Sequence, residues 1–351
     1  MTNKILSIIV PSYNMEAYLP KCLGSLIVDD KELLQKIEVI VVNDGSKDRT
    51  SEIAHEFEAK YQDVYRVIDK ANGNYGSCIN AALPIAKGVF VKILDADDSF
   101  DNKAFAQMLK VLIDSEYNAE HLDLLLTDFV EVDETGSAKV SHSIQLPVGR
   151  TLNIESVDRI PLLYMHSIAY RTEKLRRMQY RQTEGIGYTD TEWTYYPLRV
   201  VKRFRCERLP VYRYLVGREG QTVTAEAQKK SVWMFAIIAQ RMMMSWCAEK
   251  SGVPQVLRRY FEEFVVMMNV KVYNIVLLEI HDRDHDKKLL TFDLELHDKS
   301  DYIHNKVMDA LLSKKIGFQY GRYWRRHKSS NVFAMKVFRI YRRLIAHISK
   351  R

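Results

Sequence analysis

Cysteine is scarce in this chain, and the few residues present do not have the spacing of a metal or redox motif. Cys22, Cys78, Cys206 and Cys247 are scattered and form no Cys-x-x-Cys pair. The first four residues run directly into a strand-like segment, so the sequence predicts no secretory leader. The cysteines are therefore interpreted as reduced core residues of a cytoplasmic protein.

Long apolar runs are missing as well. The longest candidates are interrupted by charge at Arg241, Lys271 and Lys336, and none reaches the roughly 18 consecutive apolar residues that a spanning helix requires. We therefore expect no membrane-spanning segment. With 351 residues and 47% hydrophobic content, the chain is long enough for one large domain and a smaller one, which excludes a lone small binding module. No internal repeat or low-complexity tract is visible.

Acidic residues are absent from the end of the chain. From Ala310 to Arg351 there are twelve Lys or Arg and no Asp or Glu, so the overall charge of +7 becomes −5 for the preceding 309 residues. Residues 332–345 space apolar side chains as a helix does and interleave cations, a pattern typical of helices on anionic membranes. Residues 323–351 are thus predicted to contact a membrane surface. Packing on the domain is the alternative, and nucleic acid is not expected because no such motif appears.

The first hundred residues alternate strand-like apolar runs with helical segments. Strands are predicted at Leu6–Val10, Ile37–Val42, Val64–Ile68 and Val89–Leu94, and helices at Ala17–Leu26, Thr50–Tyr61 and Ser77–Ala86. This alternation is the pattern of a parallel sheet covered on both faces, in which ligands bind beyond the carboxyl ends of the strands. Each of these strands is followed by a polar cluster, and we expect the four clusters to converge on one edge.

The rest of the chain changes character. Strand-like stretches at Leu122–Val132 and near Ser143–Leu146 predict a mixed extension of the sheet. Helical patterns return after Thr191 and dominate from Lys229 onward, including Trp233–Trp246 and Val256–Glu279. The predicted organisation is a catalytic domain over residues 1–222 and a helical region over residues 223–351.

Three carboxylates are bunched in Asp95-Ala96-Asp97-Asp98, where the predicted fourth strand ends. Buried strands are poor places for carboxylates, so this bunching indicates a cation such as a divalent metal. A solvated acidic turn is the alternative interpretation, and the other three clusters count against it.

Two of the other clusters suggest contacts to a nucleotide. Asp44 follows the second strand and could accept from the imide N–H of a uracil ring, although the same segment also fits a capped turn. Lys70 and the glycines of Asn72-Gly73-Asn74-Tyr75-Gly76 precede a helix, where backbone N–H groups favour a diphosphate. The loop has neither Rossmann nor Walker spacing, so a plain turn stays open.

Together, Val10-Pro11-Ser12-Tyr13-Asn14, the segment 41–50 and Leu94-Asp95-Ala96-Asp97-Asp98 resemble the family 2 glycosyltransferases, with a weaker likeness up to Thr222. The resemblance implies an α/β, Rossmann-like, GT-A type mixed sheet with a C-terminal helical region, inverting chemistry and a Mg²⁺ or Mn²⁺ ion. It implies a ribose contact at Asp95 and a metal ligand at Asp97. Nucleotide-sugar binding is assigned to Pro11, Tyr13, Glu16, Asp44, Lys70, Gly76, Asp95, Ala96 and Arg218.

An inverting transfer also needs a base that takes the proton of the acceptor hydroxyl. The segment 184–193 resembles the place where this family carries that base, and the role falls to Asp190, although Thr189 stands where Glu is common. A capping box of Thr189 and Glu192 at a helix start is the alternative. The segment Tyr212–Thr222 looks like the family's closing segment, which implies that Arg218 and Gln221 reach the diphosphate or gate the site. An ordinary glycine-containing loop after a strand is the alternative.

Two histidine-containing segments receive weaker interpretations. His166 is a possible acceptor contact, with a partly buried structural histidine favoured. The segment His281-Asp282-Arg283-Asp284-His285 has ligand-type residues, but its alternating charges favour a solvated connection between helices over a zinc site.

These observations predict an inverting transferase that moves a sugar from a UDP-sugar to an acceptor hydroxyl. The expected acceptor is a saccharide or lipid-linked saccharide of bacterial surface polysaccharide synthesis, reached from the inner face of the cell membrane. The missing Gln-x-x-Arg-Trp motif argues against a processive synthase. A sugar nucleotidyltransferase and a catalytically silent scaffold at the membrane are the alternatives.

Overall fold

The computed structural model describes residues 4–218, 221, 224–249 and 253–348. Described residues up to 218, with 254–257, form one compact unit, and the others form a second. Residues 222 and 223, between which the sequence places the domain boundary, lie outside the described residues, as do residues 349–351 of the basic tail.

The first unit is built on a ten-stranded mixed sheet whose path runs β3-β2-β1-β4-β9-β6-β10-β5, with β7 paired to β6 and β8 to β10. The strands from β1 to β4 are parallel, and β9 runs antiparallel to β4 and β6. The strands are β1 Leu6–Ser12, β2 Ile37–Asn43, β3 Tyr65–Asp69, β4 Phe90–Ile93, β5 Ser99–Phe100, β6 Leu124–Val132, β7 Ala138–His142, β8 Thr151–Asn153, β9 Ile168–Arg171 and β10 Arg203–Leu215.

Short helices connect the strands of this unit. They are α1 Leu19–Gly24, α2 Lys31–Gln35, α3 Thr50–Lys60, α4 Tyr75–Ala82, α5 Asn102–Tyr117, α6 Thr172–Arg177 and α7 Asp190–Tyr195, with 3-10 turns at Leu83–Ile85, Ile154–Ser156, Met165–Ser167 and Pro197–Val200. Aspartates begin two of them: Asp30 accepts from backbone N–H groups of α2, and Asp101 accepts from Ala104 in α5. The three helices predicted in the first hundred residues are confirmed, within a few residues at each end.

The strands β1, β2 and β4 are buried along their whole length, as expected of parallel strands covered on both faces. Polar groups among them are paired: Ser7 donates to Glu38 Oε1 at 2.5 Å and accepts from the N–H of Gly88 at 2.8 Å. A Cβ on Gly88 would lie 2.3 Å from the Ser7 nitrogen, so only glycine fits there. This close approach fixes β4, and with it the acidic motif at its end, beside β1.

Two predictions for the second half of this unit are wrong. Residues 143–146 are not a strand, because Asp128 accepts from Ser143 Oγ and the Ile144 N–H and holds this segment away from a ladder. The helical pattern expected after Thr191 ends early, since residues 203–215 form β10, a 13-residue strand. Its alternating arginines face outward while Phe204 and Cys206 are buried, which is a strand period.

The second unit is helical, as predicted. The helices after residue 224 are α8 Ala225–Lys230, α9 Val232–Glu249, α10 Gln255–Asn274, α11 Arg283–Lys299, α12 Asp301–Ala310, α13 Tyr320–His327 and α14 Phe333–Ile348, with a π-helical turn at Ile275–Ile280 between α10 and α11. The connection predicted at residues 281–285 is confirmed for His281, which has a φ of 50° after the π turn, and for Asp282, which caps α11, whereas residues 283–285 already belong to that helix. Within the described ranges, no helix has both the length and the apolar character to cross a bilayer.

Two buried carboxylates tie the helices of this unit together. Asp293 on α11 accepts hydrogen bonds from Tyr273 Oη at 2.7 Å, His304 Nε2 at 2.9 Å and Arg325 Nε at 3.1 Å, which reach it from α10, α12 and α13. Asp286 accepts from Trp324 Nε1 at 3.0 Å in the same way. Each carboxylate is satisfied by several donors, as a buried charge requires.

Candidate active site

The loops that follow β1, β2 and β3 are hydrogen-bonded to one another. The Asp44 N–H donates to Ser12 O at 2.9 Å, and the Lys70 N–H donates to Asn43 O at 3.0 Å. The polar clusters predicted to converge therefore share one edge of the sheet.

The loop after β1 is fixed on the loop after β2 by its own side chains. Glu16 accepts from the Arg49 N–H at 2.9 Å, and Asn14, with a φ of 52°, accepts from the Lys47 N–H at 2.9 Å. Tyr13, directly before Asn14, is exposed, whereas Pro11 lies buried within β1. Glu16 thus shapes the predicted nucleoside pocket through a backbone contact, and Tyr13 presents its ring to solvent beside it.

Asp44 is a buried carboxylate with a matched cation. Its Oδ1 accepts from Lys70 Nζ at 2.6 Å and from the Gly73 N–H at 2.9 Å. Ser77 Oγ also lies 3.4 Å from Oδ1. Lys70, predicted to reach a base or phosphate, neutralises Asp44 in this structure, and the bonds recorded among the described residues leave Oδ2 as the acceptor for a ligand.

The glycines of the loop after β3 serve the packing of a second loop. A Cβ on Gly76 would lie 2.2 Å from Thr183 O, and Gly73 O accepts from the Gly185 N–H at 2.8 Å. Asn80 on α4 also donates to Gln182 O at 2.9 Å. These contacts bring the segment that carries Asp190 to the donor edge, a role for Gly76 that differs from the predicted approach to a diphosphate.

The acidic motif divides into carboxylates with different partners. Asp98 is buried, accepts from Tyr212 Oη at 2.6 Å and from the Leu215 N–H at 2.7 Å, and thereby anchors the end of β10. Asp95 accepts from Tyr75 Oη at 2.8 Å. Burial, reinforced by the charge of Asp97, raises the pKa of both Asp95 and Asp98. Ala96 packs in the core, so its backbone alone can meet a ligand.

Asp97, the predicted metal ligand, is paired with Arg218. Arg218 Nε donates to Asp97 Oδ2 at 2.6 Å, and the guanidinium lies over the Tyr18 ring at 5.2 Å from the centroid. Both predicted residues are therefore at the acidic motif, and Arg218 supplies the positive charge there. Residues 219, 220 and 222 of the predicted closing segment lie outside the described residues.

A donor set beside Asp97 fits a divalent cation. One carboxylate oxygen of Asp95, one of Asp98 and a ring nitrogen of His166 lie within 4.8 Å of one another. Among the described residues, His166 Nδ1 is buried without a hydrogen-bond partner. Burial, with the nearby charges of Lys92 and His142, lowers the pKa of His166 to about 3. A neutral imidazole and carboxylate oxygens are suitable ligands for such an ion.

Asp190 begins α7 at this same edge. Burial raises the pKa values of Asp95 and Tyr75. Neighbouring carboxylates, among them Asp190, raise both pKa values further. The capping-box alternative is wrong, because Thr189 Oγ1 donates to Gln182 Oε1 at 3.3 Å and Glu192 accepts from Thr183 at 2.7 Å. Asp190 is thus placed among the acidic residues, as the base assignment requires.

Sequence reasoning missed three residues of this site. Tyr75 and Tyr212 hold Asp95 and Asp98, and neither was singled out. Lys92 is fully buried in β4 and donates to His166 O at 2.6 Å and Ile168 O at 3.3 Å. A lysine inside the apolar run 89–94 was a visible signal, since lysine is almost never fully buried without partners.

Comparison with known proteins places this geometry in context. The model of glycosyl transferase family 2 matches residues 7–144. The uncharacterized glycosyltransferase EpsJ of Bacillus subtilis (strain 168) is 29% identical over 220 residues, 60% of this chain and 61% of EpsJ. The minor teichoic acid biosynthesis protein GgaB of the same organism is 25% identical over 227 residues, 65% of this chain and 25% of GgaB. The chain thus spans less than two thirds of either relative.

A solved structure extends the likeness to the whole fold. S. aureus TarS 1-349, in complex with UDP-GlcNAc, matches with a TM-score of 0.66 at 18% identity, covering 97% of this chain and 92% of that one. At this identity the likeness concerns the fold alone. The predicted GT-A type sheet with a helical C-terminal region is confirmed.

Proposed function

Because residues 7–144 match the model of glycosyl transferase family 2 and the chain has a GT-A type fold, we propose that it moves a sugar from a UDP-sugar to an acceptor hydroxyl with inversion. The observation that carries this proposal is the arrangement along one sheet edge. Asp44 lies after β2, the acidic motif after β4, and Asp190 next to that motif. This order of residues supports a nucleoside pocket at Asp44, a diphosphate clamp at the acidic motif and a base at Asp190.

The donor end of the site suits a UDP-sugar. Asp44 Oδ2 is the proposed acceptor for the imide N–H of uracil beside Pro11 and Tyr13, while Lys70 Nζ pairs with Oδ1 of the same carboxylate. Asp95 is the acceptor for a ribose hydroxyl. S. aureus TarS, which has the same fold and was crystallised in complex with UDP-GlcNAc, supports this donor class.

The acidic motif suits Mg²⁺ or Mn²⁺. A bound divalent ion stabilises the negative charge that builds on the leaving diphosphate. Asp97 is the predicted ligand, and the neighbouring set of Asp95, Asp98 and His166 supplies further donors. Arg218, paired with Asp97, holds its guanidinium where a diphosphate oxygen gains a second cation.

Asp190 is the proposed base. As the acceptor oxygen attacks the anomeric carbon, the bond from that carbon to the diphosphate breaks on the opposite face, and the hydroxyl proton passes to Asp190. Asp190 lies close enough to Asp95 for its charge to contribute to the raised pKa of Asp95, which supports its position beside the acidic motif. The product has the inverted configuration.

Release of UDP from UDP-GlcNAc in the presence of Mn²⁺ or Mg²⁺ tests this assignment. Asp190→Asn keeps the shape of the side chain and should bind UDP with unchanged affinity, while its turnover falls by about 10² to 10⁴. Asp97→Asn should weaken UDP binding itself. Asp114→Asn, an exposed aspartate on α5, is the matched control. Wild-type turnover in both site variants would refute the assignment.

The acceptor is proposed to be a saccharide or a lipid-linked saccharide at the inner face of the cell membrane. The likeness to GgaB, a minor teichoic acid biosynthesis protein, supports a surface polymer. On α14, one face exposes apolar side chains while Met335 and Phe338 of the same helix are buried. The exposed apolar residues are Phe333, Val337, Ile340 and Leu344, and the exposed cations among them are Lys336, Arg342 and Arg343.

An apolar helix face with flanking cations suits an anionic bilayer surface. In liposome flotation, the full chain should float with vesicles that contain an anionic lipid. The double variant Ile340→Ser with Leu344→Ser should lose this behaviour, and Leu294→Ser, an exposed apolar residue of α11, should keep it. Wild-type protein that stays in the soluble fraction would exclude the membrane contact.

A further inference from the structure

A group of aromatic side chains lies on the side of the acidic motif away from the predicted nucleoside pocket. The nucleoside residues lie on β1 and β2, the acidic motif follows β4, and the strands beyond β4 are β9, β6 and β10. The aromatic group is carried by β6 and β10, by β7 and by the segment before β9. We name it the aromatic platform, consisting of Phe129, His142, Tyr164, His166 and Tyr214.

The platform is a continuous set of ring contacts. His166 stacks on Tyr214 with centroids 4.6 Å apart and an interplanar angle of 27°. Phe129 contacts His166 at 4.9 Å and stacks on His142 at 4.3 Å with an angle of 5°. Tyr164 covers the outer end, 5.4 Å from Phe129 and 5.8 Å from His142. The inner end is thus the histidine beside Asp95, and the outer end is a tyrosine.

The outer end of the platform is open to solvent. Tyr164 is 54% exposed, although the ring beneath it, Phe129, is buried. His142 is held in position by a contact of its Nε2 with Glu131 Oε1 at 2.7 Å. An exposed ring on a rigid aromatic base, with a carboxylate at its border, offers an apolar face and a polar rim together.

A pyranose ring has the matching chemistry, since its axial C–H groups form an apolar face and its hydroxyls form a polar edge. We propose that Tyr164 and His142 form a stacking subsite for a sugar ring of the acceptor. The inference rests on the proposed function, and it adds residues that position the acceptor beside Asp190. The carboxylate of Glu131, which contacts His142 Nε2 at 2.7 Å, is suited to accept hydrogen bonds from the hydroxyls of such a ring.

The subsite makes a prediction that does not depend on turnover. In saturation-transfer difference NMR on the full chain, methyl β-D-glucopyranoside should receive saturation at its axial ring protons, and glycerol, a polyol without a ring face, should not. Tyr164→Ala should weaken binding of the pyranoside about threefold to tenfold, the range expected for loss of an aromatic contact. Tyr164→Phe should retain binding, because the ring face is kept.

Tyr117→Ala is the matched control, because Tyr117 is a tyrosine of the same unit that is 89% exposed at the end of α5. Equal saturation in the wild type and Tyr164→Ala, or no saturation of the pyranoside by the wild type, would overturn the proposal. UDP binding, followed by thermal shift with Mn²⁺, separates this proposal from the proposed function. If the pyranoside binds in a manner that depends on Tyr164 but UDP does not bind, only the donor assignment is refuted. If UDP binds but the pyranoside does not, only the subsite is refuted.

Discussion

Replacing Asp293 with asparagine should loosen the helical unit as a whole. The side chain is fully buried and accepts from donors on α10, α12 and α13. Asparagine keeps the shape of the side chain, but it replaces one acceptor oxygen with an NH₂ group. That group is a donor and faces other donors, so it cannot form their hydrogen bonds. The substitution therefore removes a charge that holds three other helices to α11.

The magnitude follows from the burial of each partner. Hydrogen bonds to a charged group contribute about 1.5 to 3 kcal/mol each, and those from Tyr273 and His304 are fully buried. The side chain of Arg325 is 34% exposed, so its bond is screened and adds little. We expect a loss of about 3 to 5 kcal/mol, the range found when one partner of a buried network is removed.

Hydrogen exchange with mass spectrometry on peptides of α10 to α13 measures this loss where it occurs. Protection should fall throughout these helices in Asp293→Asn and stay unchanged in Asp284→Asn, which alters an exposed aspartate of α11. A change confined to the peptide that carries residue 293 would refute the reasoning, because the hub would then not couple the helices.

The same residue gives a pH dependence with a definite sign. Burial alone would raise the pKa of Asp293, but the bonds from His304 and Tyr273 and the charge of Arg325 outweigh it, so the pKa is lowered. A carboxyl with a lowered folded-state pKa stabilises the protein above its unfolded value of about 3.9, and this stability is lost as the pH falls through the folded-state pKa. The gap between the wild type and Asp293→Asn should therefore shrink below about pH 4.

Three further substitutions test the catalytic unit. Burial lowers the pKa of Lys92 to about 7, so above that pH the lysine is protonated in the unfolded chain but not in the folded one. In urea titrations, the stability of the wild type relative to Lys92→Met should therefore rise from pH 7 toward pH 9. Tyr212→Phe leaves the buried carboxyl of Asp98 without its hydroxyl donor and should cost about 1 to 3 kcal/mol in the same assay; an unchanged midpoint would contradict this. Gly76→Ala places a methyl group 2.2 Å from Thr183 O and should displace that loop, lowering both UDP release and melting temperature, and a variant with wild-type activity would count against the contact.

The parts of the fold that the sequence predicts well are those with one dominant signal. The strands β1, β2 and β4 are continuous apolar runs, so burial on both faces is readable from composition alone. The strand β10 is different, because the alternation of its first residues is interrupted around Pro210, where its pairing with β6 shifts register. The strand predicted at residues 143–146 is wrong for a third reason. The carboxylate that accepts hydrogen bonds from this segment belongs to Asp128, which is distant in sequence, and nothing in the local sequence indicates this contact.

The site shows the same division. Polar clusters at strand ends identify Asp44, Asp95 and Asp97, since the topology of a parallel sheet forces them to one edge. The partner of Asp98 is Tyr212, which lies 114 residues away in the chain. Such pairs depend on which strands are neighbours, and a single sequence contains no local trace of that choice.

The bond between Gly73 and Gly185 has a consequence for protein engineering. The loop after β3 and the loop that precedes Asp190 share a seam made of Gly73, Gly76 and residues 182–185. A chimera that joins the first part of this chain to the second part of another protein of the same fold must take both sides of that seam from one parent. If the two parts do not match, a side chain at position 76 would clash with the backbone near residue 183. The packing of these two loops therefore limits which chimeras can fold, independently of their substrate preference.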